Sequence, residues 1–91
     1  MSGTRFEIRV LRAAEQELRR LDPGAVRQVT TRLRWLAEHP AEVKHQALTG
    51  TLRGQYKLRA GDYRVLYEVR SEERLIIVHT IGDRRDIYRK R

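Results

Sequence analysis

Tyr56-Lys57-Leu58-Arg59-Ala60-Gly61-Asp62-Tyr63-Arg64-Val65-Leu66-Tyr67-Glu68-Val69-Arg70 is the stretch that decides the fold. On either side of Gly61-Asp62 the residues alternate in character with a period of two, the signature of a strand with one buried face. Gly-Asp between two such runs supplies a turn. The stretch predicts a β-hairpin, its first strand within residues 51–60 and its second over residues 63–70. Side chains alternate across a strand. Tyr63, Val65, Tyr67 and Val69 therefore form the core-facing set, while Arg64, Leu66 and Glu68 turn to an uncovered face, as do Lys57 and Arg59.

Downstream, Ser71-Glu72-Glu73 is a polar turn and residues 74–81 are a third strand, ended by Gly82-Asp83. Leu75-Ile76-Ile77-Val78 is apolar on both faces, which fits a central or covered strand. Upstream, Arg5-Phe6-Glu7-Ile8-Arg9-Val10-Leu11 also alternates, with Phe6, Ile8 and Val10 toward the core. The period then changes. Ala14, Leu18 and Leu21 mark one face of a short helix, with Arg19 and Arg20 near the end that favours cations. Asp22 caps a second helix with Pro23 at its first position, and Val26, Val29, Leu33 and Leu36 carry its apolar stripe. Trp35 lies off the centre of that stripe, half covered, and His39-Pro40 stops the helix. Residues 41–50 read as a connecting loop closed by Leu48-Thr49-Gly50. The order β-α-α-β-β-β predicts one α+β domain over residues 1–91. It has a single, largely antiparallel sheet with an antiparallel helical hairpin on one face.

Composition narrows the class. A chain of 91 residues, 40% hydrophobic and 35% charged, fits one soluble domain with a modest core. No apolar run approaches the roughly 18 residues of a membrane span, and Met1-Ser2-Gly3-Thr4-Arg5 lacks an apolar signal core. The chain has no cysteine, so a disulfide framework and a thiolate metal site are excluded and a cytoplasmic location is expected. Its 20 basic and 12 acidic residues give a net charge of +8, which favours a polyanionic partner.

The cations gather. A hairpin turning at Ala60-Gly61-Asp62 brings Arg64 near Arg59, and Lys57 shares their face. Like charges on neighbouring strands repel unless an anion neutralises them. Glu68, Asp62 and Asp83 could do so and leave an ordinary solvated sheet face; a phosphodiester would serve equally. Arg84 and Arg85 follow the last strand, and Arg53, Arg89 and Lys90 are further candidate contacts to RNA. Arg89 to Arg91 also read simply as a solvated basic tail.

RNA carries its own nucleophile, the 2′-OH. Cleavage then needs an acceptor for its proton, charge stabilisation at phosphorus and help for the leaving 5′-oxygen. Arginine stays protonated at neutral pH, whereas lysine can act as a base when neighbouring cations depress its pKa. Lys57 is accordingly the candidate base, Arg59 and Arg64 the clamp on non-bridging oxygens, and Arg84 the stabiliser of the leaving oxygen. Tyr88 could stack on a base or orient the 2′-OH. His79 sits in an apolar strand and reads as a satisfied sheet residue, His39 as a helix end and His45 as a loop residue. No pair has metal-ligand spacing, so neither a metal nor a cofactor is expected.

These residues resemble the RelE/ParE superfamily of toxins from bacterial toxin–antitoxin systems. The resemblance rests on Ala13-Ala14 at the entry to the helices, Leu48-Thr49-Gly50, Tyr56-Lys57-Leu58-Arg59, Gly61-Asp62-Tyr63-Arg64-Val65 and Ile81-Gly82-Asp83-Arg84-Arg85-Asp86-Ile87-Tyr88. It covers nearly the whole chain. In the RelE branch it implies a ribosome-dependent mRNA endoribonuclease that cleaves in the A site without a metal, leaving a 2′,3′-cyclic phosphate and a 5′-OH. The implied site is Lys57, Arg59, Arg64, Arg84 and Tyr88. Arg59 stands where that branch has a second lysine, so the role of base falls on Lys57. Arg84 is followed by Arg85, and either could reach the phosphate. The resemblance further implies a cognate antitoxin that wraps the toxin. The ParE branch, which inhibits DNA gyrase and is no nuclease, shares the fold. A non-catalytic RNA- or ribosome-binding module is a third reading of the same cations.

Overall fold

The computed structural model describes residues 5–39, 46–47 and 55–85. Along the chain run β1 (Glu7–Val10), α1 (Arg12–Arg20), α2 (Pro23–Glu38), β2 (Gln46–Ala47), β3 (Tyr56–Ala60), β4 (Tyr63–Arg70), a 3-10 turn (Ser71–Glu73) and β5 (Leu75–Asp83). The five strands form one mixed sheet in the order β1-β5-β4-β3-β2. This is the expected α+β architecture with its helical hairpin.

Local chemistry sets the helices. The Asp22 carboxylate accepts from Ala25 N–H at 2.9 Å, capping α2 with Pro23 in its first turn. The helix ends at His39, whose N–H reaches the Trp35 and Leu36 carbonyls. Along α2, Val29, Leu33, Leu36 and Ala37 are buried against Leu58, Ala60, Val65, Tyr67, Ile76, Val78 and Ile81 of the sheet. Phe6, Ile8 and Val10 pack against the same core, as do Leu18 and Leu21. Full burial of each large aliphatic side chain there contributes about 1.5–3 kcal/mol. Trp35 remains 38% exposed, with the His39 ring stacked on it at 4.5 Å.

The hairpin has the expected register, Arg59 opposite Arg64 and Lys57 opposite Leu66. Its turn needs glycine. Gly61 has φ of 63°, and a Cβ there would meet the Gln28 side chain at 2.5 Å. β5 lies between β1 and β4, which explains why Leu75, Ile76, Ile77 and Val78 are all buried.

The expectation leaves one pairing open, and three features differ from it. β1 pairs with β5 in parallel, Ile8 opposite Ile76, because the helical hairpin carries the chain back over one face before the other strands form. Gln46–Ala47, inside the expected loop, adds a two-residue strand to β3. Gly82 and Asp83 do not end the third strand, since they still pair with Arg64 and Tyr63. Finally, the face turned from the helices is not bare, for Leu66, Leu75 and Ile77 on it are buried. Leu48-Thr49-Gly50 and His45 lie outside the described residues.

Candidate functional site

The register of the hairpin places the candidate cations. Lys57 and Arg59 are two residues apart on β3 and share a face, and Arg64 stands directly opposite Arg59 on β4. Directly opposed residues have Cβ atoms about 4.5–5.5 Å apart, so the two guanidinium stems are neighbours. Gly82 of β5 lies beside Arg64 on its other side. Arg84 follows directly on β5, and its backbone N–H donates to the Asp62 carbonyl of the turn at 2.9 Å. Lys57, Arg59, Arg64 and Arg84 thus surround one end of the sheet.

Their side chains differ in environment. Arg59 and Arg84 are exposed and Lys57 is half-buried. Arg64 is only 8% exposed, against the expectation of an outward-facing clamp. Its Nη1 donates to the carbonyls of Gly61 and Tyr63, each at 2.9 Å. The guanidinium folds back onto the turn, where a charged donor bonds both carbonyls at once. Arg32 of α2 reaches the same hairpin, donating through Nε to the Arg59 carbonyl at 3.3 Å.

Two of the three acids that could have neutralised this cluster are committed elsewhere, and Asp62, exposed on the turn, makes no ion pair among the described residues. Glu68 accepts from Arg70 Nε at 2.8 Å and from His79 Nε2 at 2.9 Å. These contacts, that to Arg70 first, hold the Glu68 carboxyl below its ordinary value. Asp83 accepts from the backbone N–H of Arg85 at 2.8 Å and pairs with its guanidinium at 3.5 Å, and the backbone bond chiefly lowers its pKa. Among the described residues no ion pair involves Lys57, Arg59, Arg64 or Arg84. A solvated face in which Glu68 and Asp83 screen the hairpin cations is not what the structure has. Asp83 also distinguishes the two tandem arginines, since it pairs with Arg85 at 3.5 Å and feels Arg84 only as a weaker, longer-range attraction.

Tyr88, Arg53, Arg89 and Lys90 lie outside the described residues. On the helix side, Tyr67 is fully buried, its ring 5.7 Å from that of Tyr56, and burial pushes its hydroxyl up to about 12. It stays protonated through the neutral range. Among the described residues no group of acids and histidines could hold a metal. No helix among them is long and apolar enough to cross a membrane. An apolar groove of about 590 Å³, lined by Phe6, Ile8, Val10, Leu18, Leu33 and Ala37 among others, lies on the helix side, away from the cations.

His79 is the residue whose setting the sequence did not disclose. Opposite β4 the register slips between Leu66, paired with Thr80, and Tyr67, paired with Val78. His79 is the extra residue of this bulge, and the bulge brings its ring onto Glu68. It is a satisfied sheet residue, as expected, but its partner is a carboxylate on the cationic face. A bulge depends on pairing across strands and has no signal within one strand.

A helical hairpin on a five-stranded mixed sheet, with cations around one β-turn, defines the class of small RelE/ParE-type toxins. A family model described as the ParE toxin of type II toxin–antitoxin systems, parDE, matches residues 8–88. The chain belongs to this toxin family. No curated protein sequence matches it. Among solved structures it is similar to a chain of the RelBE2 toxin–antitoxin complex of Mycobacterium tuberculosis. That match has TM-score 0.79 and 25% identity over 88% of this chain and 92% of that one. The isolated RelE toxin of Escherichia coli gives TM-score 0.69 and 27% identity, covering 87% of this chain and 83% of that one. The archaeal RelE–RelB complex of Pyrococcus horikoshii OT3 gives 0.71 and 24% identity, covering 92% and 97%, which is a likeness of fold.

Proposed function

We propose that the chain is a ribosome-dependent mRNA endoribonuclease, neutralised by a cognate antitoxin, that arrests translation by cleaving in the A site. The observation that carries this reading is the cluster around the β3–β4 turn. Lys57, Arg59 and Arg64 share a face, Arg84 adjoins it, and the nearby acids Glu68 and Asp83 are engaged with other cations. An uncompensated cation cluster of this kind fits the phosphodiester of a polyanion.

The 2′-OH attacks the adjacent phosphorus. Lys57, the sole described lysine, accepts its proton in the amine form. Arg59 reaches the non-bridging oxygens directly. Arg64 shapes the turn that presents them through Nη1, which leaves Nε and Nη2 as its donors toward a phosphate. Arg84, exposed and in no ion pair among the described residues, stabilises charge on the leaving 5′-oxygen, with Arg85 the outer contact. Arg53, Tyr88, Arg89 and Lys90 are proposed as further contacts on their sequence positions alone. The products are a 2′,3′-cyclic phosphate and a 5′-OH, and no step runs through a metal or cofactor. An acidic or amphipathic antitoxin segment that folds on binding suits the charge of the surface. A cytoplasmic setting follows from a ribosomal target.

The ParE family match favours a second reading, inhibition of DNA gyrase without nuclease activity. Cleavage-site mapping in a translating cell-free extract separates the two. Wild type and an Arg59→Ala/Arg84→Ala variant are compared on one mRNA, with and without ribosomes. Both substituted side chains are exposed, so the fold is expected to survive. Ribosome-dependent cuts within the translated frame, lost in the variant, support the nuclease. Absence of cuts by wild type, with inhibition in a supercoiling assay, replaces it with the gyrase reading. Binding of RNA without either activity leaves the binding module.

A further inference from the structure

The cleavage scheme just given, on which this inference rests, has a gap. As the P–O5′ bond breaks, its electron pair goes to O5′, which needs a proton. Arginine keeps its protons near neutrality and can only donate a hydrogen bond. Lys57 ends the step with the proton of the 2′-OH and is on the attacking side. Among the described residues, the sheet face that carries the cations holds one more group able to give a proton.

We propose that His79, oriented by Glu68, is the general acid that protonates the leaving 5′-oxygen. Three observations place it there. First, the bulge opposite Leu66 and Tyr67 adds His79 to β5 as an extra residue and re-aims its side chain, the use to which bulges beside active sites are put. Second, Nε2 donates to Glu68 Oε1 at 2.9 Å, which fixes the ring and leaves Nδ1 without a partner among the described residues. Third, the bulge lies across Leu66 from Lys57. Leu66 is opposite Lys57 on one side and opposite Thr80, the residue after His79, on the other. Two strand spacings, about 10 Å, thus separate the backbones of Lys57 and of the bulge. That span suits an in-line phosphoryl centre, with base and acid reaching from opposite sides.

Both members of the dyad are 28% exposed at the side chain, open enough to meet a substrate and sheltered enough to keep one geometry. The charged groups facing His79 are Glu68 and Arg70 from β4, Lys57 across Leu66 from β3, and Arg9 of β1, opposite Ile77. Glu73 approaches Arg70 at 4.0 Å. Glu68 therefore serves both Arg70 and His79, and its role is to position His79 rather than to exchange protons. The step balances. The O2′–P bond forms and the P–O5′ bond breaks, Lys57 gains the O2′ proton, and the imidazolium Nδ1–H passes to O5′. Solvent restores both groups.

The test uses the full-length protein, programmed ribosomes and an mRNA whose wild-type cut site has been mapped. One version is ordinary RNA; the other carries sulfur in place of the bridging 5′-oxygen at that site. A thiolate leaves without a proton. His79→Gln is expected to slow cleavage of ordinary RNA by about 10²–10⁴-fold. On the sulfur-bridged RNA it should run at the wild-type rate. Glu68→Gln should show a smaller loss of the same kind, again rescued by sulfur. Equal losses on both substrates assign His79 to binding or folding and overturn the proposal, as does no loss on either. If wild type cuts neither RNA, the nuclease reading fails and the proposal with it, an outcome distinct from a defect confined to the variant.

Discussion

The two ends of the sheet face turned from the helices carry similar residues and treat charge in opposite ways. At the far end, Glu68, Arg70, Glu73 and His79 form a chain of pairs between 2.8 and 4.0 Å. Toward the turn lie Lys57, Arg59, Arg64 and Arg84, and no acid pairs with them among the described residues. Both ends are built on β4, four residues apart from Arg64 to Glu68. A sheet can neutralise its own cross-strand charges, and the far end does so. Leaving the turn end uncompensated costs stability through like-charge repulsion, a cost an anionic ligand removes. The contrast marks the turn end as a binding surface more clearly than the net charge does.

The largest expected effect comes from breaking the turn end. Arg59→Ala combined with Arg84→Ala should lower RNA cleavage by about 10²–10³-fold or more, as loss of transition-state donors does, with an unchanged melting temperature. A rate change of less than threefold would show that the exposed cations are bystanders. Arg64→Ala tests the folded-back guanidinium. It removes two charge-assisted hydrogen bonds to turn carbonyls and should cost about 2 kcal/mol in urea unfolding. If stability is unchanged while cleavage falls, Arg64 contacts substrate and does not hold the turn.

Asp22→Ala, remote from both ends, is the control for stability alone. Loss of the α2 cap should cost about 1 kcal/mol without altering cleavage under conditions where the variant is folded. Salt sharpens the comparison further. Arg59→Ala should reduce the slope of log affinity against log salt for RNA by about 1, and Arg70→Ala, already paired with Glu68, should leave it unchanged.

Acid titration of stability should show the smallest difference. The Glu68 carboxyl is held below its ordinary value in the folded state. Its contribution is therefore present above the unfolded value of about 4.3 and is lost as pH falls through the lower folded value. Glu68→Gln should be less stable than wild type at neutral pH, with the gap closing only at acid pH. A gap of constant size across that range would mean that the ion pairs of the far end add nothing.

Much of the fold was legible before any coordinates. Alternation about Gly61-Asp62 specified the hairpin register, because a slip of one residue would send Val65 and Tyr67 to the wrong face. Asp22-Pro23 specified where α2 begins. The apolar run Leu75-Ile76-Ile77-Val78 marked β5 as central. The candidate site was legible to the same depth. Which cations share a face follows from parity along β3 and β4, so Lys57, Arg59 and Arg64 could be grouped. What each side chain does there could not be read. Arg64 turns back onto carbonyls that only the closed turn exposes, and Asp83 selects Arg85 over Arg84 through a local bond to the next-but-one backbone N–H.

By itself the sequence determined the order of elements, the faces of helices and strands, the hairpin and the excess of positive charge. These depend on residue periodicity and turn chemistry within a few positions of one another. Only the tertiary structure decided that β1 lies parallel beside β5, that the register slips at His79, and that Glu68 is spent on His79 and Arg70 rather than on the hairpin cations. The physical reason is range. Pairing between residues far apart in the chain is settled by how several elements pack together, and short hydrogen bonds between side chains follow from that packing.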